Sequence, residues 1–259
     1  MDPLHKRNRL FYDSIWRRAT FRPPDFFATW SVVDEVTRRG ERLLEVGPGA
    51  RPRFPLDRTV FADSSREAVR RLQACGARAF LADAIQLPFA DEVFEAACAI
   101  DVVEHAAEPR SALAEIGRVL RAGGQLLVAV PIHSRQWTSF DELVGHSVRF
   151  DLDELLQMLA GAGLHVDRSA AFGCMPRSGK LLGAGAWVLR RFRGPAAWFE
   201  DRIVVPVLRP FQRPPRWQDG LVAAPRQAGV LCLCSKRPSA APLGARVATK
   251  SADLNGQAS

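Results

Sequence analysis

Residues 43–49, Leu-Leu-Glu-Val-Gly-Pro-Gly, constrain the fold more than any other stretch. A short apolar run ends in two glycines one residue apart, the pattern of a buried parallel strand entering a tight turn. Gly47 and Gly49 let the backbone turn sharply and let a ligand come close. Glu45 falls at the strand's end, where open α/β sheets bind their ligands.

Downstream, strand and helix signals alternate, and such alternation gives a parallel sheet. Strands are expected near 42–46, 58–63, 77–82, 94–100, 125–130 and 164–171, with a last one at 229–235. Helix starts are signalled by the capping boxes Ser64-x-x-Glu67 and Asp151-x-x-Glu154 and by Pro109 in a first turn. The predicted fold is α/β: a Rossmann-like, doubly wound, mostly parallel seven-stranded sheet with helices on both faces and the last strand antiparallel. Residues 1–40 read as a helical, aromatic cap broken at Pro23-Pro24, with Asp25 capping its second helix. Residues 41–238 form the main domain, and 239–259 a disordered tail of small polar residues.

The net charge of +8 is uneven: +3 over 1–40, −5 over 41–172 and +10 over 173–259. An acidic core is a poor home for a phosphate-rich ligand, while the basic final third suits an anionic partner. That third holds an insertion, about 173–227, with Trp187, Trp198 and Trp217. Its apolar run Leu181–Leu189 leads into Arg190, Arg191 and Arg193. This pattern fits either a lid helix or peripheral membrane contact through 178–217, and the run is too short to span a bilayer. The N-terminus lacks a signal peptide's apolar core, and the five cysteines show no metal-ligand spacing. A reduced, cytoplasmic protein, at most peripheral at a membrane surface, with no metal is expected. No nucleic-acid-binding module accompanies the basic residues, which makes nucleic acid an unfavoured partner. Nothing in the sequence sets an oligomeric state.

Four carboxylates fall in register at successive strand ends: Glu45, Asp63, Asp83 and Asp101. Together they suit a ligand with a ribose, an adenine and a cationic head. A carboxylate such as Asp63 accepts from a ribose diol, Asp83 from an exocyclic amine, and Glu45 and Asp101 favour an ammonium or sulfonium. A dinucleotide turn, Gly-x-Gly-x-x-Gly, would need glycine at 52, where the chain has Pro52. S-adenosylmethionine, which carries no phosphate, fits this acidic crevice better than a dinucleotide does.

Residues 43–172 resemble the class I S-adenosylmethionine-dependent methyltransferases, in particular their type 11, ubiquinone-methyltransferase-like small-molecule group. The matching runs are Leu-Leu-Glu-Val-Gly-Pro-Gly (43–49), Ala-Asp-Ser-Ser (62–65), Ala-Asp-Ala-Ile-Gln-Leu-Pro-Phe (82–89), Asp-Val-Val-Glu-His (101–105) and Arg-Val-Leu-Arg-Ala-Gly-Gly (118–124). The resemblance implies that the Gly47–Gly49 turn holds the methionine part of the cofactor. It implies that Asp63, with Ser64 beside it, binds the ribose, that Asp83 and Ala84 meet the adenine, and that Asp101 lies near the transferred methyl. Two departures stand out. Ala50 replaces a common third glycine, and only Arg51–Asp57, with Pro52 and Pro55, separates the turn from strand two, which truncates the first helix.

Methyl transfer from a sulfonium is an in-line displacement, so placing the acceptor is the enzyme's main work. A base is needed only if the nucleophile must lose a proton. His105 has the best position, one helical turn past Asp101, and in some relatives the matching histidine works with an N-terminal tyrosine, here Tyr12. His146, in a stretch where relatives commonly shape the acceptor pocket, and His133 follow as candidates. The acceptor expected is a lipophilic or anionic small molecule. Two other readings remain open: a cofactor-binding, non-catalytic scaffold, and a nicotinamide-dependent oxidoreductase.

Overall fold

A computed structural model describes residues 3–173, 187, 191, 198–209, 213–221 and 227–238. Most of the insertion, including nearly all of Leu181–Leu189, and the tail 239–259 lie outside the described residues. The elements begin with α1 (Pro3–Trp16) and α2 (Trp30–Arg38). The core then runs β1 (Leu43–Val46), β2 (Thr59–Asp63), α3 (Arg66–Ala74), β3 (Arg78–Leu81), β4 (Phe94–Ile100), α4 (Pro109–Val119) and β5 (Leu120–Pro131). After it come α5 (Ser139–Val144), α6 (Leu152–Gly161), β6 (Leu164–Phe172), the one-turn α7 (Val205–Leu208), β7 (Gln218–Asp219) and β8 (Gly229–Lys236).

The sheet order is β3-β2-β1-β4-β5-β8-β6-β7. Strands β1 to β5 pair in parallel, and β8 enters antiparallel between β5 and β6. The sheet therefore has eight strands where seven were expected. The extra one, β7, pairs only Gln218 and Asp219 with β6, too short to leave a periodic signal.

Side chains alternate across the sheet as the two-residue strand period requires. Leu44, Ala97 and Leu126 point toward α4 and α6, where Leu113, Ile116 and Leu155 pack. Leu43, Ala96 and Leu127 point the other way, onto Val32, Val33 and Val36 of α2. Each fully buried leucine contributes about 2 kcal/mol of hydrophobic stabilisation, and both faces must be covered because a parallel sheet exposes neither.

Residues 47–58 contain no helix, as the prolines foretold. Glu45 supplies what that helix would have: its carboxylate accepts the N–H of Arg53 (2.9 and 3.0 Å) and of Phe54 (2.9 Å), pinning the connecting loop. Three local expectations shift. The cap of α3 is Ser65, whose Oγ accepts from Ala68 N–H at 3.2 Å, not Ser64. Asp151 stands at the start of α6, but its carboxylate takes Ser134 instead of capping. Asp25 lies in a 3-10 turn, and α2 begins five residues later at Trp30.

Candidate active site at the carboxyl edge of the sheet

Strand order reverses between β1 and β4, and this switch point opens the crevice where α/β sheets bind ligands. The turn after β1 sits at its mouth. Gly47 and Gly49 hold φ of +65° and +59°, left-handed values that glycine takes without a Cβ penalty. Asp63, ending β2, is buried and splits its carboxylate. Oδ2 accepts Gly49 N–H at 2.9 Å and Oδ1 accepts Ser65 N–H at 2.7 Å. Each oxygen keeps a free lone pair for a ligand. Burial pushes Asp63 up to about 6, against the pull of those two N–H groups.

Ser64 is half-buried beside it. Asp83, after β3, closes a tight turn in which it accepts from Ile85 N–H (3.3 Å), with Ala84 half-buried within it. Leu81 and Ile85 are exposed next to that turn and offer an apolar shelf.

Across the switch point, Asp101 follows β4 with φ +56°, a left-handed conformation rare outside glycine that costs a side-chain-bearing residue about 1–2 kcal/mol. Solvent reaches it at the crevice floor. The surrounding protein raises its carboxyl, while Arg53 and His146 pull the other way. The Arg53 guanidinium lies 3.6 Å over the Phe27 ring, and Glu45 and Asp101 both feel its charge. Burial likewise pushes Glu45 up to about 7.

Helix α1 covers this crevice. Asn8 Nδ2 donates to Gly145 O at 2.8 Å, and Asp13 accepts from Ser65 Oγ (2.5 Å) and Glu67 N–H (3.2 Å). Arg71 donates to the carbonyl of Trp16. The Trp16 indole lies on the glycine turn so closely that a Cβ built on Gly49 would stand 2.4 Å from its ring. The hydroxyl of Tyr12, one turn earlier, is 3.1 Å from His105 Nε2 and 3.2 Å from the carbonyl oxygen of Val144. Burial raises the phenol above its ordinary range, and Glu104, Asp101 and Asp63 raise it further.

His105 Nδ1 faces Gly145 O at 3.3 Å, and burial, with His146 close by, lowers its pKa to about 3. The imidazole is thus neutral at pH 7. With Nδ1–H on the carbonyl, Nε2 turns its lone pair to the Tyr12 hydroxyl, whose single proton lies between Nε2 and Val144 O. His146 stacks edge-on against His105, with centroids 4.7 Å apart, and its Nδ1 lies 2.8 Å from Asp141 Oδ1. Burial works against the Asp141 charge, but bonds from His146, Arg149 and Thr138 outweigh it and hold that carboxyl below its usual range.

The structure thus brings Tyr12, His105, His146 and Asp101 together, with Asp63 and the glycine turn at one side. His133 stands apart at the end of β5, with φ +64° and its N–H on Phe150 O. Sequence reasoning missed Asp13, Trp16, Arg53, Ser65 and Asp141. Ser65, in the Ala-Asp-Ser-Ser run, and Asp141, three residues after Thr138 in a capping box, carried a local signal; Asp13 and Trp16 act through contacts far apart in sequence.

The donor set fits S-adenosylmethionine. Asp63 keeps lone pairs for a diol, the Asp83 turn pairs an acceptor with an apolar shelf, and the ring of carboxylates is complementary to a cationic head. Glu45 is already committed to the loop, which leaves Asp101 as the carboxylate open to that head.

Residues 44–128 match the family model described as "Methyltransferase domain". The chain is 34% identical over 90 residues to the O-methyltransferase cnsE of Penicillium expansum, covering 33% of each chain. It is 32% identical over 91 residues to the uncharacterized protein MJ1123 of Methanocaldococcus jannaschii, covering 34% of this chain and 44% of that one. The chain thus spans about a third to under a half of the length of the curated relatives it matches.

Among solved structures, a SAM-dependent methyltransferase, possible histamine N-methyltransferase, from Thermotoga maritima superposes with a TM-score of 0.56 at 18% identity. That match covers 90% of this chain and 94% of the other. The [4+2]-cyclase SpnF superposes at 0.51 and 22% identity, covering 81% of each chain. At these identities the superpositions show the fold. Residues 44–128 thus carry the sequence match to the class I, type 11 methyltransferase domain, on a fold shared with S-adenosylmethionine-dependent methyltransferases.

Proposed function

We propose that this protein transfers a methyl group from S-adenosylmethionine to a small-molecule acceptor held beneath α1. The observation that carries the reading is the Tyr12–His105 pair, 3.1 Å apart, set beside Asp101 at the switch point of a methyltransferase-type sheet. When bound, the cofactor supplies an electrophilic methyl on a sulfonium. Gly47 and Gly49 would accept its methionine part, Asp63 with Ser64 its ribose, the Asp83–Ala84 turn its adenine, and Asp101 its cationic head.

The chain's own residues do the rest. Trp16 and Tyr12 lie over the crevice and, with a ligand bound, would shield it from bulk water, which strengthens charge interactions inside it. His105, neutral and oriented by Gly145, offers Nε2 to a proton from the acceptor or relayed through Tyr12. In the covered arrangement its basicity is low, so it serves an acceptor whose proton loosens as the methyl arrives. His146, fixed by Asp141, borders the acceptor side.

The acceptor is taken to be lipophilic or anionic. The exposure of Trp187, Trp198 and Phe199 on the basic final third supports peripheral contact with an anionic membrane. Among the described residues no helix is long and apolar enough to cross a membrane. Flotation with anionic vesicles tests that contact, and an absence of binding at low salt removes it. An acceptor screen with radiolabelled cofactor tests the transfer itself. SpnF, a cyclase on this fold, supports keeping a cofactor-binding role without methyl transfer as the second reading. Under that reading, cofactor binding without turnover on any acceptor is expected.

A further inference from the structure

Three side chains with metal-ligating atoms converge under α1. Glu104 and His105 are neighbours in sequence, and His146 comes from the segment after α5. One donor atom from each lies within 4.8 Å of the other two. The segment carrying His146 is fastened to the Glu104 turn: Ser147 donates to Glu104 O through N–H (2.7 Å) and Oγ (2.8 Å), and Oγ also reaches Ala106 O at 2.9 Å.

Both imidazoles carry the outer contact that fixes a ligating histidine. His146 Nδ1 meets Asp141 Oδ1 at 2.8 Å and His105 Nδ1 meets Gly145 O at 3.3 Å, so each ring turns Nε2 to the other side. Glu104 Oε1 stands 3.9 Å from His146 Nε2. The Glu104 side chain is 1% exposed, and its Oε2 has no hydrogen-bond partner among the described residues. A buried carboxylate oxygen with nothing to accept is costly, and a cation relieves that cost directly.

We propose that Glu104, His105 and His146 bind a divalent transition-metal cation, with zinc as its representative. Two imidazoles and one carboxylate are the donors of three-ligand zinc sites that keep a position open. Imidazole donors favour zinc, iron, cobalt or nickel over magnesium and calcium. Bonds of about 2.0–2.2 Å require the donor atoms to close up by roughly 1 Å, within the reach of side-chain rotations. The Tyr12 hydroxyl gives up its bond to His105 Nε2 when the ion takes that lone pair. An occupied site and His105 acting as base therefore exclude one another. The site goes beyond methyl transfer, and its test needs neither cofactor nor acceptor.

The test is calorimetric titration of zinc into tag-free protein carrying Cys75→Ser, which removes the thiol exposed among the described residues, a competing ligand. Glu104→Gln and His146→Asn are titrated in the same background. One ion per chain at micromolar affinity or tighter is expected, at least tenfold weaker in either variant. Zinc should also raise the melting temperature of the parent and leave that of Glu104→Gln unmoved, a readout that registers folding of the variant as well. Binding of equal strength in parent and variants, magnesium bound more tightly than zinc, or no stoichiometric binding would each overturn the proposal.

Discussion

Tyr12 Oη and His105 Nε2 meet at 3.1 Å across 93 residues of sequence. Their rings also stand edge to face, with centroids 5.2 Å apart. One contact thus closes the N-terminal helix over the crevice and gives the only tyrosine of the chain a partner there.

If His105 accepts the acceptor's proton, His105→Ala should cut turnover about 100-fold, in the range general-base removal usually costs. Affinity for S-adenosylhomocysteine should change less than about threefold. Tyr12→Phe should lose less than His105→Ala, and the double variant no more than His105→Ala alone, since the two act as a unit. Equal losses of turnover and affinity would reduce His105 to a packing role.

The Trp16–Gly49 contact predicts a stability effect. Gly49→Ala places a Cβ 2.4 Å from the indole at a φ of +59°. Left-handed strain of about 1–2 kcal/mol and overpacking of about 1–3 kcal/mol should combine. Adding Trp16→Ala should recover the overpacking part and leave the backbone strain. Urea denaturation of the four proteins in this cycle measures both; strict additivity would show that indole and glycine do not touch in solution.

Glu45 makes stability depend on pH. Its carboxyl rises from 4.5 to about 7 on folding because burial outweighs the bonds from Phe54 and Arg53 N–H. A raised pKa means that the native state holds the proton more tightly than the unfolded chain does. The resulting stabilisation is full below about pH 4.5 and lost as pH climbs through 7. Relative to Glu45→Gln, the parent should therefore lose on the order of 2–3 kcal/mol between pH 4.5 and 8. A flat difference across that range would contradict the burial argument.

Asp63 should impose the opposite trend on ligand binding. Its carboxyl sits near 6, and a ribose diol donates to the ionised form. Affinity for S-adenosylhomocysteine should rise as pH climbs through 6 and level off above 7, with protons released on binding at pH 6. Titrations in two buffers of different ionisation enthalpy count those protons. Asp63→Asn should bind weakly and without the pH trend.

Much of this was legible in the sequence because it is local. The apolar run into Gly47-Pro48-Gly49, the carboxylates at strand ends and the prolines at 52 and 55 each act within a few residues, and the mostly parallel sheet followed from the alternation of strand and helix signals. What escaped reading depends on contacts between distant segments. Ser64 has the capping-box spacing to Glu67, yet Ser65 caps the helix, and its Oγ also donates to Asp13, which reaches over from α1. Glu45 looked like a ligand group at a strand end. It was drawn to the loop backbone because a missing helix left N–H groups in need of an acceptor. The Glu104–His105–His146 cluster had no spacing to betray it, since its third member arrives through a separate segment.

The most direct measurement is calorimetric titration of the purified protein with S-adenosylhomocysteine, with NAD as control. Binding near micromolar that falls at least tenfold in Asp63→Ala, with no heat from NAD, is the predicted result. No binding of S-adenosylhomocysteine alongside measurable binding of NAD would contradict the assignment of this crevice to a methyl donor.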